Sequence, residues 1–179
     1  MLDILIRLWR HRWLDEQDTH RVLPSDAAAR LRQRVADSEA RHNGQVRICV
    51  EAGLPTSYLW RHLRGRTPIR RIVRERAVMM FSKLGVWNTE HNNGVLIYLL
   101  LAERAIELVA DRGLARETPP QLWREAVERL GESLRAGRFE EGLTQALGEV
   151  SALLVERFPR DPTAPIPNAN ELPDEPVLL

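Results

Sequence analysis

The chain has few of the residues that mark specialised protein classes. One cysteine in 179 residues (Cys49) excludes an internal disulfide framework and any zinc site built on cysteines. Lysine is nearly absent as well: Lys83 stands alone, and every other basic side chain is arginine. With 10 Gly and 11 Pro the chain is neither collagen-like nor of low complexity. No run approaches the ~18 uninterrupted apolar residues of a membrane-crossing helix. Asp3, Arg7, Arg10 and Arg12 interrupt the apolar N-terminus and leave no secretory core, so the expected compartment is the cytoplasm. Catalytic signatures are missing too. There is no D-x-D-x-T, no C-x₅-R after Cys49, no G-x-S-x-G, no H-E-x-x-H and no phosphate-cradling glycine loop. The histidines (His11, His20, His42, His62, His91) lack ligand spacing and read as surface residues, and Cys49 reads as a small packing residue.

What is present is enough apolar residue for one domain of ordinary size, 44% of the chain, and an uneven charge distribution. The formal net charge is +1, yet residues 1–76 carry 16 Arg against nine Asp and Glu. The remainder carries a balance of −6. The densest basic cluster is Arg61, Arg64, Arg66, Arg70, Arg71, Arg74 and Arg76, opposed locally by Glu75. Guanidinium groups at that density favour phosphate, carboxylate or anionic-lipid partners.

Periodicity orders the elements. Residues 2–14 read as an amphipathic helix with Leu2, Leu5, Trp9 and Trp13 on one stripe. Pro24-Ser25-Asp26 opens a helix whose buried face includes Leu31 and Val35, and Asn43-Gly44 reads as its left-handed stop. Val46, Ile48 and Val50 alternate with Arg47, Cys49 and Glu51, the period of a strand. After a short helical turn from Tyr58 to Arg64, a helix from Pro68 to Gly85 carries Ile69, Ile72, Val73, Ala77, Met80 and Phe81, with Arg70, Arg71 and Arg74 opposite. The run Val95 to Leu101 has the composition of a strand buried on both faces, and Ala105 to Ala110 must pair with it as a hairpin. Thr118-Pro119-Pro120-Gln121 has the form of a capping box, and two helices follow. Six of the 11 prolines lie from Pro159 onward, which predicts a tail that is disordered or docked as extended chain. A helical crossover makes the first two strands parallel. The predicted fold is α/β, a three-layer α/β/α sandwich with a small mixed sheet: an N-terminal helix (1–22), a domain (23–158) and the tail (159–179).

Several of these stretches resemble the TPM-domain family. They are Leu23-Pro24-Ser25-Asp26 with its helix, Gly44-Gln45-Val46 leading a strand, Ala77 to Trp87, and Asn92-Asn93-Gly94 running into Val95-Leu96-Ile97-Tyr98-Leu99. The strand Arg104 to Asp111 and the segment Arg138 to Leu143 are similar in kind. The resemblance implies an α/β/α fold and, for some members, acid phosphatase activity and calcium binding. The segment Ala110-Asp111-Arg112-Gly113-Leu114 departs from the family's Gly-rich pattern there, and no catalytic residue is carried over.

Three groups of residues could carry function. The hairpin places Asn92 and Asn93 beside Asp111, an oxygen donor set that suits Ca²⁺ or Mg²⁺, with an asparagine–glycine turn as the structural alternative. Arg64, Arg66, Arg70, Arg71 and Arg74 form a candidate anion or partner surface, with Arg70, Arg71 and Arg74 expected to point outward, short of acidic neighbours in sequence apart from Glu75. Leu5, Trp9 and Trp13 form a stripe that could dock on the domain itself, bind a partner protein or lie on a membrane surface. Glu51 and Glu103 should share the sheet edge where open α/β sheets usually bind ligands. The expectation is a non-enzymatic cytoplasmic TPM-like domain engaging a protein or, peripherally, an anionic membrane. A divalent-metal-dependent phosphatase is the alternative. Nucleic acid ranks last, because no aromatic residues interleave the arginines.

Overall fold

The computed structural model describes residues 9–65, 67–160 and 171–179. Residues 9–13 are helical, and Asp15 then caps α1 (Glu16–Val22), its carboxylate accepting from the Gln17 and Asp18 N–H groups. There follow α2 (Ser25–Glu39), β1 (Gln45–Glu51), α3 (Thr56–Gly65), α4 (Ile69–Lys83), β2 (Gly94–Leu100), a 3₁₀ turn (Leu101–Glu103), β3 (Ala105–Ala110), α5 (Arg112–Glu117), α6 (Pro120–Arg135), α7 (Phe139–Arg157) and β4 (Val177–Leu178).

The sheet runs β3-β2-β1-β4. β1 and β2 are parallel, as a crossover through α3 and α4 requires, with Ile48 opposite Ile97. β2 and β3 form the expected antiparallel hairpin, turned by Arg104 in the left-handed conformation (φ 48°). β2 is interior to the sheet and buried along its whole length, which is what its unbroken apolar run demands. One face of the sheet (Val46, Ile48, Val95, Ile97, Ile106, Leu108) packs on α2, α6 and α7. The other (Cys49, Leu96, Tyr98, Leu100, Val109) packs on α3 and α4. The architecture is the three-layer sandwich with a small mixed sheet.

Local expectations needed correction where distant contacts took over. α2 ends at Glu39, not at Asn43-Gly44, because the following chain is captured by the end of α7: Asn43 N–H donates to the Phe158 carbonyl at 2.9 Å. The stretch 58–64 is part of a ten-residue helix, α3 (Thr56–Gly65). No side chain caps α2 or α6, and the Thr118 hydroxyl is buried with no hydrogen-bond partner among the described residues. The short helix α5, capped by Asp111, has no periodic signal of its own in the sequence. His11 and His42 are buried, contrary to their surface reading, because each meets polar partners inside the fold.

The described end of the tail docks as extended chain. β4 pairs in parallel with β1, Leu172 is buried, and its N–H donates to Gln45 Oε1 at 3.0 Å. The tail also shapes the surroundings of Glu39, whose carboxylate accepts from the Val46 N–H at 2.7 Å. Burial, with repulsion from Asp174 and Glu171, pushes Glu39 up to about 8 from an ordinary 4.5. Burial holds His42 down to about 4 from 6.5, its Nδ1 facing the Gly44 carbonyl and its Nε2 facing Ser38 Oγ.

The two groups act in opposite directions on stability. Glu39, raised in the fold, contributes fully below 4.5 and loses that contribution as pH climbs toward 8. His42, depressed in the fold, contributes fully above 6.5 and loses it as pH falls toward 4. Above 6.5, therefore, the Glu39 effect stands alone. Urea midpoints should fall between pH 6.5 and 8 in the native sequence and stay level in Glu39→Gln. The same fall in both proteins would refute the assignment.

Candidate functional site

The edge holding the C-terminal ends of β1 and β2, the usual crevice of open α/β sheets, is filled by the protein's own groups. His11 is buried there: its Nδ1 accepts from the Leu54 N–H at 3.0 Å, and its Nε2 meets Glu103 Oε1 at 3.0 Å. That pairing requires the neutral tautomer with the proton on Nε2. Arg10 adds a bond to the Ala102 carbonyl at 3.1 Å. The N-terminal segment thus docks through its polar face. Trp9 and Trp13 remain 65% and 66% exposed, their rings 4.7 Å apart and tilted by 35°, so the tryptophan stripe is not the face that packs on the domain. Leu5 lies outside the described residues.

Glu51, the second acid of that edge, is buried in a network. Arg76 grips it with Nε and Nη2 at 2.9 and 2.5 Å, and the Tyr98 hydroxyl donates to it at 2.6 Å. Burial and the Glu51 charge push the Tyr98 phenol upward. Cys49, beside them, is buried, and desolvation pushes its thiol up to about 12. The network holds the helix layer to the sheet.

The opposite edge holds two of the three predicted cation ligands as buried side chains, Asn93 and Asp111. The Asp111 N–H donates to the Gly94 carbonyl at 2.8 Å, so Asp111 lies beside the start of β2. Asn93 is fully buried, its amide nitrogen donating to the Asn43 carbonyl at 2.9 Å. Asn93 Oδ1 and Asp111 Oδ2 are both buried without a hydrogen-bond partner among the described residues. Asn92 is different: exposed and left-handed (φ 53°), it offers its carbonyl to the Gly113 N–H at 2.9 Å. Uncompensated buried oxygens are costly, and a hard cation would satisfy them. Asp111 supplies the one carboxylate, and no three acid, histidine or cysteine groups converge among the described residues.

The basic cluster is partly neutralised. Arg61 and Arg71 share Glu75 at 2.6 and 3.2 Å, and Arg74 reaches Glu107 at 3.3 Å, so Arg71 and Arg74 do have acidic partners. Helical spacing supplies Glu75, and the hairpin supplies Glu107 from β3. Arg64 lies over the exposed Trp60 ring at 5.4 Å, and Arg66 falls outside the described residues. Arg70 and Arg74 instead line a groove of about 950 Å³ along the outer edge of β3, between α4 and α6. Arg104, Arg124 and Arg135 line it from the other elements, as do the carboxylates Glu103, Glu107 and Glu128. Among the described residues, none of Arg70, Arg104, Arg124 and Arg135 is paired with a carboxylate.

A family model for the TPM domain matches residues 17–153. The chain belongs to the TPM-domain family. No curated protein matches it. Solved structures that share its fold include two NMR structures. The BA42 protein from the psychrophilic bacterium Bizionia argentinensis, solved by NMR, is 21% identical with a TM-score of 0.69, over 87% of this chain and 94% of its own. The N-terminal domain of a protein from P. gingivalis, also an NMR structure, is 18% identical with a TM-score of 0.58, over 85% and 97%. At such identities the likeness concerns the fold.

Sequence reasoning missed the arginines that this TPM domain presents from the β2–β3 turn and α6. Arg104, Arg124 and Arg135 are scattered in the chain and converge only across the hairpin and α6. It also missed the Glu51–Arg76 pair, whose partners stand 25 residues apart. No helix among the described residues is long and apolar enough to cross a membrane.

Proposed function

We propose that this TPM domain is a non-enzymatic binding module whose ligand is anionic and is engaged at the β3 groove. The observation that carries the reading is the charge of one groove: Arg70, Arg104, Arg124 and Arg135 line it without carboxylate partners among the described residues and, with Arg10 and Arg74, outnumber its three glutamates, Glu103, Glu107 and Glu128. Cations held at such density lower their mutual repulsion by taking up an anion. The groups that could have served as base or nucleophile at the sheet edge are engaged elsewhere: Glu51 with Arg76, Glu103 with His11, and Cys49 as a buried thiol. A cytoplasmic protein or an anionic membrane are the partner classes this surface suits.

Fluorescence anisotropy with labelled poly-glutamate at two salt concentrations tests the reading. Binding should weaken as salt rises and fall about tenfold in Arg70→Glu/Arg124→Glu. Salt-independent binding, or equal binding by the variant, would overturn it. Hydrolysis of a generic phosphate ester by the purified protein would overturn the non-enzymatic part.

The two unpartnered oxygens, Asn93 Oδ1 and Asp111 Oδ2, favour a second reading, a divalent-cation site at the start of β2. Calcium bound there would supply positive charge to a buried carboxylate and tie β2 to α5. Calcium titration followed at the Asn93 and Asp111 amides by NMR separates the two readings, since poly-glutamate would leave these signals in place.

A further inference from the structure

Among the described residues, the groove runs along a sheet edge on which no further strand pairs. β3 is the outer strand, with β2 on its inner side. The Arg74 guanidinium donates to the Leu108 carbonyl at 2.6 Å, so the Leu108 backbone faces away from β2. The Asp111 N–H, by contrast, bonds inward to Gly94. In an antiparallel ladder the N–H and C=O of one residue point to the same side, and residues two apart share that side. Ile106, Leu108 and Ala110 therefore present their backbone groups to the groove. Such an edge is a template for another strand, and charged side chains laid across edges are a known guard against chance pairing. Arg74 occupies that guarding position.

The walls fit a particular occupant. β3 spans six residues, about 20 Å of strand, so a peptide of five or six residues could lie alongside it. Arg70 stands on the α4 wall, Arg124 and Arg135 stand on the α6 wall, and Arg104 stands at the mouth. Ile69, Val73 and Trp123 add apolar surface between them. A strand added to β3 would send successive side chains alternately to the two walls. An extended chain carrying carboxylates and apolar side chains meets both requirements, backbone pairing and charge.

The geometry points to β3 as a docking edge for an acidic, extended peptide segment of a partner protein, which adds as a fifth strand. This rests on the anionic-ligand reading above and specifies its ligand. On docking, a peptide N–H takes the Leu108 carbonyl from Arg74, whose guanidinium keeps its pairing with Glu107. Backbone pairing supplies affinity, and the arginines select acidic sequences.

The probe is a fluorescein-labelled peptide alternating glutamate and valine, compared with the same peptide N-methylated at every second residue. Methylation keeps the charge and removes the N–H groups that would face β3. The parent peptide should bind in a salt-sensitive way, and the methylated one should bind about tenfold or more weakly, as the loss of two or three hydrogen bonds implies. Amide exchange at Ile106, Leu108 and Ala110 should slow on binding of the parent. Equal binding of both peptides overturns strand addition and leaves the anionic-ligand reading intact. Failure of both, while phosphatidylglycerol-containing vesicles bind, assigns the groove to a membrane and overturns the peptide. Failure of peptides, poly-glutamate and vesicles alike removes both readings.

Discussion

Replacing Arg76 with methionine should cost about 3–5 kcal/mol of unfolding free energy, the range for breaking a buried ion pair by removing one partner. Arg76 and Glu51 are nearly inaccessible, with side chains 11% and 6% exposed. Arg76 offers two donors to the two carboxylate oxygens, and the Tyr98 hydroxyl supplies a third hydrogen bond. The guanidinium also stacks over the Tyr58 ring at 5.4 Å. Methionine fills similar volume but leaves the Glu51 charge buried with only Tyr98 to solvate it. Against a typical domain stability of about 5–15 kcal/mol, that loss is large. Tyr98→Phe removes one hydrogen bond to a charge and should cost about 1.5–3 kcal/mol. The double change Glu51→Gln/Arg76→Met should cost less than the sum of its singles, because no uncompensated charge remains. Urea denaturation of the native protein, the two singles and the double completes the cycle. Additive singles, or a loss under about 1 kcal/mol in Arg76→Met, would mean the pair is not the coupled support inferred here.

The same network shows where sequence reasoning stops. Val46, Ile48 and Val50 alternate with Arg47, Cys49 and Glu51, and that period is enough to locate β1. Alternation also suggests a polar face, yet Cys49 and Glu51 are buried, since Arg76 arrives from α4 to neutralise the acid. β2 needed no such partner. Its apolar run implies burial on both sides from its own residues, and both β2 and the hairpin were legible. His11 illustrates the converse. Its partners, Leu54 and Glu103, lie 43 and 92 residues away, and nothing near it in the chain distinguishes it from a surface histidine. The tail reads as aperiodic, but Leu172 and Val177 find places against a strand edge that only the folded sheet creates. At the candidate cation site, hairpin topology brought Asn93 to Asp111, whereas the left-handed turn that carries Asn92 outward depends on packing against Gly113.

That turn and its neighbour pack so closely that Gly94→Ala should be nearly as damaging, at about 3 kcal/mol. A Cβ on Gly94 would overlap the Val86 carbonyl oxygen and lie 3.1 Å from both the Val86 carbonyl carbon and Cγ1. Val86 cannot yield readily: it is fully buried, and its N–H is held by the Phe81 carbonyl at 3.1 Å. Gly94 is equally fixed, paired with Gln45 of β1 and accepting from the Asp111 N–H. The added methyl must therefore lift the start of β2 away from one neighbour or the other. Gly85 supplies the comparison, because its requirement is conformational. It adopts φ +69° with nothing within 4 Å of the place a methyl would take, so Gly85→Ala should cost only about 1–2 kcal/mol, the penalty of a left-handed backbone. Gly85→Asn should recover part of that loss, since asparagine tolerates this region, while Gly94→Asn should be no better than alanine. Thermal or urea melts of the four variants give the ranking. If Gly94→Ala were as mild as Gly85→Ala, or Gly94→Asn milder than Gly94→Ala, close backbone approach would not be what holds glycine at the start of β2.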